Sequence, residues 1–479
     1  MRAGRAGASL RHWLLLSAAL VAIAPAARAQ SFNWTGANST DWAGLGNWTL
    51  LGIPVSAPPE GAAVIVNTIA PNATITDLSA FNGGASFSIG SLAIGSAGNT
   101  TGDVTFRFLT PGSIGDHSFD AGSNLTVGAN GGSGTLTFDL HGVTRNISLF
   151  ASTFTFGVGS GSVARINVLG AGTDQSSYGG SVALSTDTAG DIVFGAQGGA
   201  AHLVADGADI GISPQSSSDR IIFGSGLGST STVNALSGSK IALGVGNGAA
   251  SVFGDGGVAD VTVDGAAADG TPSRLILGGG VVFGNGPGGR GTLNVLSGGK
   301  ATSMPGQPSP DPQLGANGGT GIATVSGPGS VWNILGQTPV GGPVGEVGNL
   351  HVGGPGGTGV LTLSDGGRVA LGQGAIGLNP TPDPVNPSSG LILTDFTPGL
   401  GTVFVAEQPG STGTVNFGAP AGSAPVAPGT LDAAAVQFGD GNGRIVFNHT
   451  APDFTYSIPT SGPGTVQTLA GTTVFDTPG

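Results

Sequence analysis

The side chains able to do acid–base or metal chemistry are few in this chain: 6 histidines, 27 acidic and 14 basic residues among 479. Beyond His12, near the N-terminus, the histidines are His117, His141, His202, His351 and His449. None lies in H-E-x-x-H and none is closely paired, so their spacing writes no two-histidine metal site. The densest ionisable set is Asp255, Asp260, Asp264 and Asp269 with Arg274. Hydrolysis or elimination on a polysaccharide needs two carboxylates facing one bond, or carboxylates for calcium beside a basic group. This set is the nearest candidate, yet nothing in its spacing brings it to one groove. Asp440 opens DGNG, the spacing of an EF-hand start, but Arg444 fills the fifth position where an acid is needed. No serine lies in G-x-S-x-G, and Lys240 and Lys300 follow LSGS and LSGG rather than a phosphate loop. His449, in RIVFNHT (444–450), sits where Ile445 and Phe447 alternate with Val446 and Asn448. It therefore reads as a strand-end residue, with its imidazole or Asn448 pinning a turn. The chain is read as holding no catalytic, cofactor-binding or metal-ligating residue, and as no enzyme.

What must position these residues is a chain with 93 glycines, 30 prolines, no cysteine and 9% charged residues. Glycine without a G-X-Y period excludes collagen, and 39% hydrophobic residues in short runs argue against disorder. A net charge of −13 excludes the clustered cations that nucleic acid or anionic lipid requires. Without cysteine there are no disulfides, so a core alone must hold the fold. N-x-S/T sequons, as at Asn33, Asn38, Asn47, Asn99, Asn124 and Asn448, read as ordinary turn and strand chemistry.

Arg2, Arg5 and Arg11 precede the apolar run WLLLSAALVAI (13–23), and Ala27-Arg28-Ala29 offers a small-x-small cleavage site. This predicts a signal peptide over 1–29, removed on export, and a mature chain with no transmembrane helix. Trp34, Trp42 and Trp48 follow closely; they are read as a lid on the open end of a stacked structure, in preference to a sugar-stacking platform.

Repeats decide the fold class. FGSGLGSTSTVNALSGSK (223–240) and FGNGPGGRGTLNVLSGGK (283–300) agree at 10 of 18 positions with an offset of 60, and FGDGG starts halfway, at Phe253. An apolar residue followed by glycine recurs at Gly128, Gly157, Gly195, Gly224, Gly254, Gly284, Gly315 and Gly353, a beat near 30 residues. Each beat holds about three short strands, as in GTLTF, where Leu136 and Phe138 point inward and Thr135 and Thr137 face water. That predicts an all-β parallel solenoid, with glycine at its corners. A propeller would need a longer beat. The proline clusters at 304–312 and 379–390 are expected to leave it as surface loops.

VSGPGSVWNILG (325–336) and GNLHVGGPGGTGVLTLSDGGRV (348–369) resemble the passenger repeats of bacterial autotransporters, the type V secretion proteins. INVLGAGT from Ile166 is similar to part of the same motif, the opening NWTG…DWAGLGNW to a passenger start, and RIVFNHT…TSGPGTVQTLAGTT to a later passenger segment. The resemblance implies a right-handed parallel β-helix, exported in a Gram-negative bacterium and presented at the cell surface or outer membrane, or shed. It also implies a C-terminal barrel, for which no strand pattern follows, so the barrel is expected on a separate protein or beyond this sequence. The resulting map is a signal peptide (1–29), a Trp-rich cap and first coils (30–120), glycine-rich solenoid (121–378), a Pro/Gly-rich irregular segment (379–435) and a closing strand segment (436–479), expected to be truncated. The function read from it is a non-catalytic adhesin or interaction rod with a surface, matrix or glycan ligand. A purely structural stalk and a polysaccharide-active enzyme are the alternatives.

Overall fold

A computed structural model describes residues 31–476, apart from 40–41, 43, 57, 68–73, 78–85, 108–116, 142–145, 171–180, 246, 305–309, 338–346 and 379–390. The segment expected to be a leader and most of both proline clusters thus lie outside the described residues. Three long sheets of 16, 13 and 12 strands run side by side, here called faces A, B and C. Through the body of the chain successive strands in sequence go to successive faces, and each pairs in parallel with the one a full turn away; the antiparallel exceptions are at the first coil and at Leu391–Pro398. This is a right-handed parallel β-helix, the hand that parallel crossovers favour.

The repeat now has a geometric meaning. Phe223 pairs with Phe253 and Phe253 with Phe283, so the 60-residue offset is two coils and the 30-residue beat is one. Face A sends one aromatic inward per coil: Phe156, Phe194, Phe223, Phe253 and Phe283 stack with centroids 4.6 to 5.0 Å apart. That distance is the strand spacing itself, so each ring is buried between its neighbours above and below. Leu136 and Phe138 are buried as expected, while Thr135 and Thr137 lie on the outer side.

The glycine column marks the exit of each face A strand. All eight glycines of the motif have positive φ, and a methyl group at Gly284 would collide with the Thr320 carbonyl of the next coil. Close approach of two backbones, together with the left-handed conformation, fixes glycine there.

At the first coil Ser31–Trp34 pairs antiparallel with Trp48–Leu50, which pairs with Ile53–Val55. Trp34, Trp42 and Trp48 are buried; Trp48 packs edge-on against both others, and its Nε1 donates to the Trp42 carbonyl at 2.7 Å. Their faces are covered by one another rather than offered to solvent.

Two local readings change. Within 379–435, read as irregular, the strands Leu391–Pro398, Thr402–Val405, Thr412–Gly418 and Thr430–Asp432 are present, and all but the first continue the coils. Glycine and proline fall at their corners, where the composition masked short alternating runs such as TVFV. In RIVFNHT, Val446 and Asn448 are buried as well as Ile445 and Phe447. Segment 419–428 crosses the outer side there, bridging to Ser364 and to His449.

Candidate binding face

Face B is the most regular outer surface. Its strands from Ser133–Asp139 to Thr358–Ser364 are seven residues long and pair without a register shift. Outward residues therefore form straight rows along the helix axis. One row contains Arg165, His202, Thr232, Asp260 and Thr292; its neighbour contains Asn167, Asn234, Thr262, Asn294 and Thr324. Rungs are joined side chain to side chain, as where Asn167 Nδ2 donates to Thr137 Oγ1 at 3.3 Å and Asn416 Nδ2 to Thr362 Oγ1 at 3.1 Å. Such a surface offers hydroxyls and amides at a fixed repeat, suited to hydrogen bonding with an extended polar ligand.

The carboxylates weighed for catalysis are dispersed over one turn of the helix. Asp255 stands at the A-to-B corner and accepts from Asn285 Nδ2 at 2.8 Å. Asp260 faces outward in face B, between Thr232 and Thr292. Asp264 ends the same strand, four residues on, or about 13 Å along an extended chain. That exceeds the separation either glycosidase geometry uses. Asp269 lies in the following turn, accepting from the Thr271 amide at 2.8 Å, and Arg274 opens a face C strand. Asp264 Oδ1 and Arg274 Nε are each buried without a hydrogen-bond partner, and no ion pair joins them. Arg274 shares a face C row with Lys240 and Lys300, and Lys240 pairs with Asp209 at 2.9 Å.

The histidines sit on separate coils. His141 Nδ1 lies 2.6 Å from Asp139, whose other oxygen holds Arg107 at 2.6 Å. Burial pushes the Asp139 carboxyl up, but hydrogen bonds from His141 and Arg107 outweigh it and hold the group below its ordinary range. His202 bonds Thr232 Oγ1 at 2.9 Å; burial first and Arg165 second lower its pKa. His351 stacks on Phe404 (centroids 5.1 Å apart), with Glu407 2.9 Å from Nδ1. His117 opens a face C strand. His449 is fully buried, its Nε2 2.9 Å from Thr473 Oγ1, and burial pushes its pKa down. Beside it Asn448 Nδ2 donates to the Pro420 and Ser423 carbonyls at 3.1 and 3.0 Å, so this pair ties segment 419–428 and the last coil to the stack. Among the described residues no group of three or more His, Asp or Glu side chains is arranged to hold a metal ion. Asp440 lies in the turn ahead of Asn442–Asn448, its amide bonded to the Glu407 carbonyl at 3.3 Å.

Sequence reasoning passed over one feature. Where Thr412–Gly418, Asn442–Asn448 and Thr465–Ala470 pair, a cleft of about 470 Å³ opens, lined by Thr412, Thr414, Asn442, Arg444, Thr465, Val466 and Gln467. The available signal was T-G-T at 412–414 and N-G-R at 442–444, polar pairs one coil apart flanking an inward glycine. Among the described residues, no helix is long and apolar enough to cross a membrane, which does not bear on membrane-spanning strands. No protein-family model matches this chain, and no curated protein matches it in sequence.

Proposed function

We propose that the chain is an exported passenger of autotransporter type, a non-catalytic rod at the cell surface that contacts a surface, matrix or glycan ligand. The observation that carries this reading is face B: an in-register outer surface, mainly polar but interrupted by Val204, Ile322 and Val360, whose acidic residues stand far apart along the coil. The leader-like N-terminus and the passenger-like motifs at 325–336 and 348–369 support export. The first of these motifs spans a B-to-C corner and a face C strand, Val331–Gln337, in which Trp332 is buried and donates to Ser303 Oγ at 3.0 Å. Its tryptophan therefore serves the core, and recognition falls to the outer rows.

The test is to express the full chain in a Gram-negative host, sequence the mature N-terminus, and screen the purified protein on glycan and matrix arrays. The reading expects cleavage after Ala29 and saturable binding that competes in solution. Export without saturable binding to any surface would favour a purely structural stalk. Turnover of a polysaccharide abolished by Asp260→Asn or Asp264→Asn would make the chain an enzyme.

A further inference from the structure

We infer that the face B cleft around Arg444 is a binding site for a carboxylated sugar, a uronic-acid-type residue of an acidic polysaccharide; this rests on the reading of face B as a recognition surface. Arg444 is the middle member of a row, with Thr414 one rung before and Thr465 one rung after. Thr412 and Asn442 lie two residues earlier on their strands, and Gln467 two residues beyond Thr465. Strand and residue spacings give this patch a footprint of about 10 by 13 Å, two or three sugar rings long.

Three observations point to the ligand. First, Arg444 is exposed and makes no ion pair among the described residues; Arg165, Arg274, Arg290 and Lys300 make none either, but of these only Arg444 lines the cleft. A guanidinium inside a cleft and without a protein counter-ion leaves its donors open to an anionic ligand. Second, the lining contains no acidic residue and is hydroxyl, amide or guanidinium except for Val466. Hydroxyls and amides both donate and accept, as sugar hydroxyls require, and a guanidinium fork matches a carboxylate through two parallel hydrogen bonds. Third, no aromatic ring lines the cleft, so a neutral sugar would lack the stacking platform that usually holds it, and the ionic contact becomes the anchor. The volume lies in the range of small-molecule sites.

The probe is trigalacturonate, titrated calorimetrically into the purified mature chain, with neutral galactotriose and sodium sulfate as separate arms. Trigalacturonate should bind saturably and more weakly as salt rises. Arg444→Gln should weaken it at least tenfold, and Arg444→Lys, which keeps the charge without the fork, several-fold. Arg290→Gln, an exposed face B arginine outside the cleft, should bind as the parent does. Thermal melts of all variants should coincide with the parent, separating loss of contact from loss of fold. Equal affinity of Arg444→Gln and the parent would overturn the assignment. So would galactotriose binding as tightly as trigalacturonate, or sulfate displacing it at equal concentration, which would make this a general anion site. Binding to other array glycans without any to trigalacturonate would overturn the cleft and leave the rod reading standing; binding to nothing would end both.

Discussion

At the first coil Trp34, Trp42 and Trp48 are buried under an antiparallel turn of chain, whereas the last described coil leaves Val466, Leu469, Val474 and Phe475 roughly half exposed. A coil buries its apolar side only against a neighbour, and these two coils meet that need differently. The first end meets it with aromatic bulk and strands that turn back on themselves. The last combines an aromatic cluster, Phe417, Phe447, Phe454, Tyr456 and Phe475, with polar pins: Asn448 on two carbonyls and the His449 imidazole on Thr473. The two regions should therefore respond to different perturbations, the N-terminal one to loss of indole packing and the C-terminal one also to loss of a few hydrogen bonds and one buried imidazole.

The largest effect expected from breaking this contrast is at the roof. Trp48→Ala removes a fully buried ring and the hydrogen bond to Trp42, and should cost about 3–5 kcal/mol, read by denaturant unfolding of the first coils. Asn448→Ala should cost about 1–3 kcal/mol by leaving two carbonyls without a donor, and should raise proteolysis within 419–428. Acid should act mainly on the same end. Because burial lowers the His449 pKa in the fold, the unfolded chain holds the proton more tightly. The stability from the neutral buried ring is complete above about pH 6.5 and declines as pH falls toward the lowered folded value. His449→Gln should flatten the difference in melting temperature between pH 7.5 and pH 5.5; His202, shifted in the same direction, would account for what remains. The smallest effect is expected at the last described coil, where Phe475→Ala should cost under about 1 kcal/mol, because half of the side chain is already in water. A loss there comparable to that of Trp48→Ala would erase the contrast.

Much of the fold could be read in advance because a solenoid writes its geometry along the chain. The spacing of Phe223, Phe253 and Phe283 is the coil length, and the recurring glycine after each apolar residue is the place where two backbones touch. What could not be read was contact between coils far apart in outline. The burial of Asn448 goes with segment 419–428, whose Pro420 and Ser423 carbonyls it holds, and composition alone made 391–432 look irregular although TVFV and TVNF alternate as strands do. The cleft escaped notice for a related reason. Thr414, Arg444 and Thr465 become neighbours only through parallel pairing, and each alone is an ordinary strand residue.

One 30-residue beat is one interchangeable coil of a rod. Deleting residues 254–283 joins Phe253 to Gly284, which stands one coil on at the equivalent position, whereas deleting only 254–268 shifts every later strand onto a different face. The account predicts that the whole-beat deletion keeps the strand signature in circular dichroism and a cooperative melt within several degrees of the parent, while the half-beat deletion loses both. Equal collapse of the two deletions, or equal tolerance of both, would contradict it.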